Sequence, residues 1–181
     1  MVNLRLKQAV ALFIAIAFVS SIFFFFPHVS STAPITYYIA VPSSMLSPNS
    51  SYAGNPIQLQ QGVPGNIIAY SSAVPVSTLV AENISNMLEF TENMLKIENI
   101  SYNISNGNIQ CLFSKQFAKP LCANPSEGTS WFLIQLGSNT PLLPSNVQVT
   151  SINSNSTFIL EFFTSGNSSN NSGIIPRINI N

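Results

Sequence analysis

Cys111 and Cys122 are the only cysteines among 181 residues. Their spacing fits a structural crosslink better than a redox pair, which uses Cys-x-x-Cys. In an oxidising compartment a bridge between them closes a loop of about twelve residues and stabilises the fold by nearly 3 kcal/mol on the chain-entropy account. Other groups with chemical potential are few. His28 is the single histidine and aspartate is absent, so a Ser-His-Asp set cannot be assembled within the folded region. No cluster of His, Cys, Asp or Glu has metal-ligand spacing, and no Gly-rich phosphate loop is present. Lys115 or Lys119 beside one of the many serines would make a Ser-Lys arrangement. Glu89 with Glu92 is a carboxylate pair of the kind glycosidases use, but both fall on the solvent face of an expected helix. The expectation is a non-enzyme with no catalytic residue, no cofactor and no metal.

A second group of residues points to modification. Seven Asn-x-Ser/Thr triplets with a permitted middle residue occur, at Asn49, Asn83, Asn99, Asn103, Asn155, Asn167 and Asn170. In an extracellular protein these are glycan acceptors. Their physical use is clear from the composition: only 7% of residues are charged and the formal net charge is zero, against roughly 25% charged in ordinary domains. A surface so poor in charge is kept soluble by neutral polar groups or by sugars. Scarcity of ionisable groups also makes a fold insensitive to pH, which fits an acid-living, archaeal source. Nucleic-acid binding is unsupported, since only Lys96, Lys115, Lys119 and Arg177 are cationic after residue 27.

What places these residues outside the cell is the start of the chain. Ala9 to Phe26 is apolar apart from Ser20 and Ser21, and as a helix it spans roughly 27 Å, close to the hydrocarbon thickness of a bilayer. Arg5 and Lys7 precede it, and no Asp, Glu, Lys or Arg follows until Glu82. That asymmetry predicts residues 1–8 in the cytoplasm, 9–26 as a single-pass anchor in membrane lipid, 27–34 as a stem, and the rest outside. The run is longer than a signal peptide's apolar region and ends in four phenylalanines, a poor lead-in to cleavage. A cleaved signal and a pilin-type leader, for which Lys7-Gln8-Ala9 loosely matches the processing site, are the competing readings.

The expected fold class is α+β: one domain over residues 35–163, with one long amphipathic helix on a mixed or antiparallel sheet. Ile35 to Val41 is β-branched and aromatic and reads as a first strand. Ile57 to Gln60 and Asn66 to Tyr70 are further strands. Val80, Ile84, Met87, Leu88, Thr91, Met94 and Leu95 keep a helical period, predicting one helix between Pro75 and Glu98. Ser77 or Thr78 would cap it, Glu82 would occupy an early turn, and Glu92 would pair with Lys96. Asn106-Gly107 marks a hairpin between 100–104 and 109–113. Trp131 to Leu136 reads as a central strand, Val147 to Ile152 as a half-exposed strand, and Thr157 to Phe163 as the last. Phe113, Trp131, Phe132, Phe158 and Phe162 should supply the aromatic core. Residues 164–181 have the low-complexity composition of a disordered Asn/Ser-rich tail.

A long helix, a hairpin-like pair, Trp131 opening an apolar strand that ends in Leu136-Gly137, and strands at Val147 and Thr157 together resemble the transcobalamin C-terminal-like domains. These are small β-grasp-type modules of microbial surfaces. The resemblance covers about residues 76–163. The Asn-Gly that usually closes the tryptophan strand is missing, and Asn153-Ser154-Asn155 stands in place of a Gly-Asp turn. The resemblance implies an extracellular binding or interaction module and transfers no ligand residue. The functional expectation is therefore a membrane-anchored, N-glycosylated envelope module that meets other envelope proteins or glycans. A pilin-like filament subunit is the alternative, and an envelope hydrolase the third reading.

Overall fold

β-Branched and aromatic residues make the first strand, β1 (Pro34–Pro42), and its register fixes the rest of the main sheet. The computed structural model describes residues 32–59, 63–138 and 140–165. β1 lies between β3 (Pro64–Pro75), antiparallel to it, and β9 (Ser156–Thr164), parallel to it. β2 (Pro56–Gln58) extends the sheet beyond β3, while β7 (Thr129–Gln135) and β8 (Pro141–Leu142) extend it beyond β9. The order is β2-β3-β1-β9-β7-β8. A second, three-stranded sheet is formed by β4 (Ser101–Ser105), β5 (Asn108–Phe113) and β6 (Leu121–Cys122). With two short helices, α1 (Val76–Ala81) and α2 (Met87–Ile97), the chain is a mixed α+β fold made mostly of sheet.

The core follows from register. Tyr37 stands opposite Phe158 and Ile39 opposite Leu160 on β9, while Trp131 and Leu133 of β7 stand opposite Phe162 and Leu160. All seven are buried and share one face of the sheet. The helices pack on this face, with the rings of Tyr37 and Phe90 at 5.4 Å. On the other face a smaller buried cluster of Ala40, Ile159 and Leu59 is flanked by Tyr38 and Ile57.

Tyr37 also ties sheet to helix through its hydroxyl. Thr91 donates to the Met87 carbonyl at 2.7 Å, so the 2.6 Å contact between Tyr37 and Thr91 has the tyrosine as donor. Burial raises the Tyr37 phenol above the ordinary tyrosine range, which favours the protonated donor. Thr91→Val strands that hydroxyl in the core and should cost about 1–3 kcal/mol, whereas Tyr37→Phe removes it cleanly and should cost about 1 kcal/mol. Urea unfolding of the two variants checks the ranking.

Several expectations need correction. The single long helix is two helices, because Asn83 adopts a left-handed conformation (φ 59°) and ends α1. Its N-cap is Pro75 rather than Ser77 or Thr78, and Glu82 lies at the C-terminal end of α1, not in an early turn. Val147 to Ile152 is no strand: it contains a 3-10 turn, Val149–Ser151, and the buried Val149 and Ile152 stand one such turn apart. Trp131 to Leu136 is not central, since β7 has β9 on one side and only the two residues of β8 on the other. Phe113, at the end of the hairpin, is 36% exposed and outside the core, and Phe132 is only half-buried.

The anchor, stem and tail expectations for 1–31 and 166–181 lie outside the described residues. Among the described residues no helix is long and apolar enough to cross a membrane.

Candidate functional site

The tetrapeptide Glu-Asn-Ile-Ser occurs twice, at 82–85 and 98–101, once at the end of each helix. Both copies fold the same way. The Asn83 and Asn99 amides donate to Val80 and Lys96, and the Ile84 and Ile100 amides donate to Leu79 and Leu95. These are Schellman caps, in which a left-handed residue lets the chain turn back and satisfy the last helical carbonyls. Asn83 (φ 59°) and Asn99 (φ 54°) supply that conformation. Ile84 and Ile100, each 3% exposed, pin the reversed chain to the core.

Asparagine visits the left-handed region more readily than other non-glycine residues, whereas alanine there is strained by about 1–2 kcal/mol. Asn83→Ala and Asn99→Ala should each lower the melting temperature, and Asn83→Gly and Asn99→Gly should hold or raise it. Scanning calorimetry of protein from a non-glycosylating host separates this from any loss of sugar.

Between the caps, α1, α2 and β3 enclose a groove of about 280 Å³. Leu79, Ile84, Phe90 and Met94 give it an apolar floor. Tyr70 and Ile97 stand in its wall, 66% and 77% exposed. Glu82 and Glu98, the first residue of each repeat, also line it. Neither makes a side-chain hydrogen bond or ion pair among the described residues.

The remaining helix carboxylates are held by local partners. Asn86 caps α2 by accepting from the Leu88 and Glu89 amides at 3.0 and 3.1 Å. Glu89 reaches back to the Ser85 amide and hydroxyl at 2.6 and 2.8 Å, and these bonds hold its carboxyl below the usual carboxylate range. A depressed folded value means stability present at neutral pH and lost as pH falls from about 4.5 through the folded value. Glu89→Gln should therefore destabilise at pH 7 and match the parent in strong acid, as thermal unfolding across pH will show. Glu92 meets Lys96 at 3.9 Å and accepts from the Tyr102 hydroxyl at 2.8 Å. Burial, with that carboxylate beside it, pushes Tyr102 up to about 12.

The chain matches no family model, no curated protein and no solved structure.

Cys111 and Cys122 are bonded, as their spacing implied, and are register partners across β5 and β6. The loop they close carries Lys115 and Lys119 and docks on the stretch after β1: Ser47 donates to the Gln116 carbonyl at 2.8 Å and Ala118 to Met45 at 2.9 Å. The Ser47 hydroxyl meets the backbone carbonyl of Lys115 at 3.1 Å, not its ammonium group.

Five of the seven acceptor asparagines lie within the described residues: Asn49, Asn83, Asn99, Asn103 and Asn155 are all exposed, and none gives its side chain to a hydrogen bond there. Asn167, Asn170 and His28 lie outside the described residues. The asparagines whose side chains bond within the fold are different ones. Asn66 bridges Ser43 and Tyr52, Asn86 caps α2, Asn108 donates to the Trp131 carbonyl, and Asn124 caps a 3-10 turn. None of the four heads an acceptor triplet, and Asn124-Pro125-Ser126 is disqualified only by its proline.

Sequence reasoning missed the groove. Its signal in the sequence is the repeated tetrapeptide Glu-Asn-Ile-Ser, which a single helix running from Pro75 to Glu98 conceals.

Proposed function

We propose that the chain is a membrane-anchored, N-glycosylated module of a microbial cell envelope, most consistent with an acid-living archaeon, and that it works by binding rather than catalysis. The observation that carries this reading is the division of labour among asparagine side chains: those in acceptor triplets are exposed and make no side-chain hydrogen bond among the described residues, and those whose side chains bond within the fold sit outside such triplets. The Cys111–Cys122 bond is in keeping with an oxidising exterior. So is the apolar run 9–26 behind Arg5 and Lys7.

A β-grasp-type module is part of the proposal. Its support is the strand order: an N-terminal hairpin β1–β3, then the helices, then a last strand β9 running parallel to β1 at the sheet centre. On this view β4, β5 and β6 are an insertion, and the groove between β3 and the helices is the binding face.

Intact mass of protein extracted from its native membrane tests the reading. Mass above the polypeptide that falls on chemical deglycosylation is expected, with residues 9–26 still attached. An unmodified mass, or failure of an impermeant label to reach Lys115 and Lys119 in whole cells, would overturn it. Polymers in electron micrographs of surface preparations would transfer the chain to the filament-subunit reading.

A further inference from the structure

We infer that the groove between β3, α1 and α2 docks a segment of a partner polypeptide in which an apolar side chain is flanked by lysine or arginine. The inference rests on the binding-module reading and deepens it by naming the chemistry of what the groove takes.

The argument begins with two carboxylates that the fold does not explain. Glu82 and Glu98 are the C-caps of α1 and α2. The carbonyl ends of helices carry partial negative charge, so an anion there is disfavoured. Asn83 and Asn99 provide the chain reversal at these caps, and the glutamates contribute no side-chain bond to it among the described residues. In a chain with only six carboxylates, two occupy equivalent unfavourable positions and line the same apolar groove.

Charge complementarity selects the occupant. The carboxylates repel anionic surfaces and acidic peptides, while the apolar floor favours a side chain that leaves water. Of the nearby cations, Lys96 is already beside Glu92 at 3.9 Å. A volume of about 280 Å³ suits one or two large side chains rather than a whole domain. The exposed Tyr70 and Ile97 extend the contact along the groove wall.

The test uses the full chain in a nonionic detergent and a fluorescein-labelled peptide with two lysines on either side of a leucine-phenylalanine pair. Two control peptides carry glutamates for the lysines or serines for the apolar pair. Anisotropy at low ionic strength should show the lysine peptide binding at least about ten-fold tighter than either control, with added salt weakening it. Glu82→Gln combined with Glu98→Gln should weaken binding about five-fold or more, and Ile97→Asn likewise, while Glu127→Gln leaves it unchanged. The melting temperature of the double glutamine variant should stay level or rise, which removes misfolding as an explanation. Absent binding, equal binding of the acidic peptide, or indifference to the double variant overturns the inference. So does tighter binding in Arg177→Gln, because it means the chain's own Ile175-Pro176-Arg177-Ile178 already fills the groove.

Discussion

Trp131→Ala should destabilise the domain by about 3–5 kcal/mol, among the largest effects of any single side-chain truncation. Trp131 is 2% exposed and packs its ring 4.9 Å from that of Phe162. Its indole donates at 3.3 Å to the Leu121 carbonyl of β6, and its own carbonyl accepts from the Asn108 side chain of β5 at 3.0 Å. One residue thus bolts the three-stranded sheet to the six-stranded one. Truncation leaves a cavity and frees the Leu121 acceptor together. For a domain whose whole stability is about 5–15 kcal/mol, the variant should populate unfolded chain at moderate temperature. Urea unfolding followed by tryptophan-independent far-UV circular dichroism measures the loss. A change under 1 kcal/mol would mean that the two sheets are joined elsewhere.

Breaking the Cys111–Cys122 bond comes second, at about 3 kcal/mol on the chain-entropy account. β6 has only two residues, and its pairing to β5 consists of Cys111 with Cys122 and Leu112 with Leu121. Without the covalent tie, so short a strand loses its register partner. The loop that carries Gln116 and Ala118 against Ser47 and Met45 then loses one of its fixed ends. Cys111→Ala with Cys122→Ala should lower the melting temperature and speed hydrogen exchange first at the Ser47 and Ala118 amides. Exchange unchanged there, with stability intact, would show that the bond constrains nothing in the native state.

Much of the fold was legible because local chemistry and tertiary context agreed. β-Branched runs marked β1 and β9, Asn106-Gly107 marked the β4–β5 turn, and the cysteine spacing marked the crosslink. Misreadings arose where two structures share a period. Ile84 falls on the helical stripe that runs from Val80 to Leu95, yet it is buried as the anchor of a Schellman cap. Val147 and Val149 alternate with polar neighbours as a strand would, but the buried Val149 and Ile152 are three apart, which suits a 3-10 turn. Trp131 to Leu136 is apolar enough for a central strand, while centrality depends on which strands arrive beside it, information no local window holds. The groove was the least visible feature, since its carboxylates look like an ordinary wet helix face until the two helix ends are seen to border one hollow.

The parallel pairing of β1 with β9 sets the timing of assembly. Ile35 and Ser156 are neighbours across the sheet although about 120 residues separate them in the chain. During synthesis β1 can pair with β3 early, but its other edge stays bare until β9 emerges. The sheet cannot grow outward from its own beginning; it closes only when the last strand slots into the middle, and such long-range closure is slow. Until then a naked apolar edge is offered to every neighbouring chain, so the hazardous interval in this molecule's life is the one before β9 arrives.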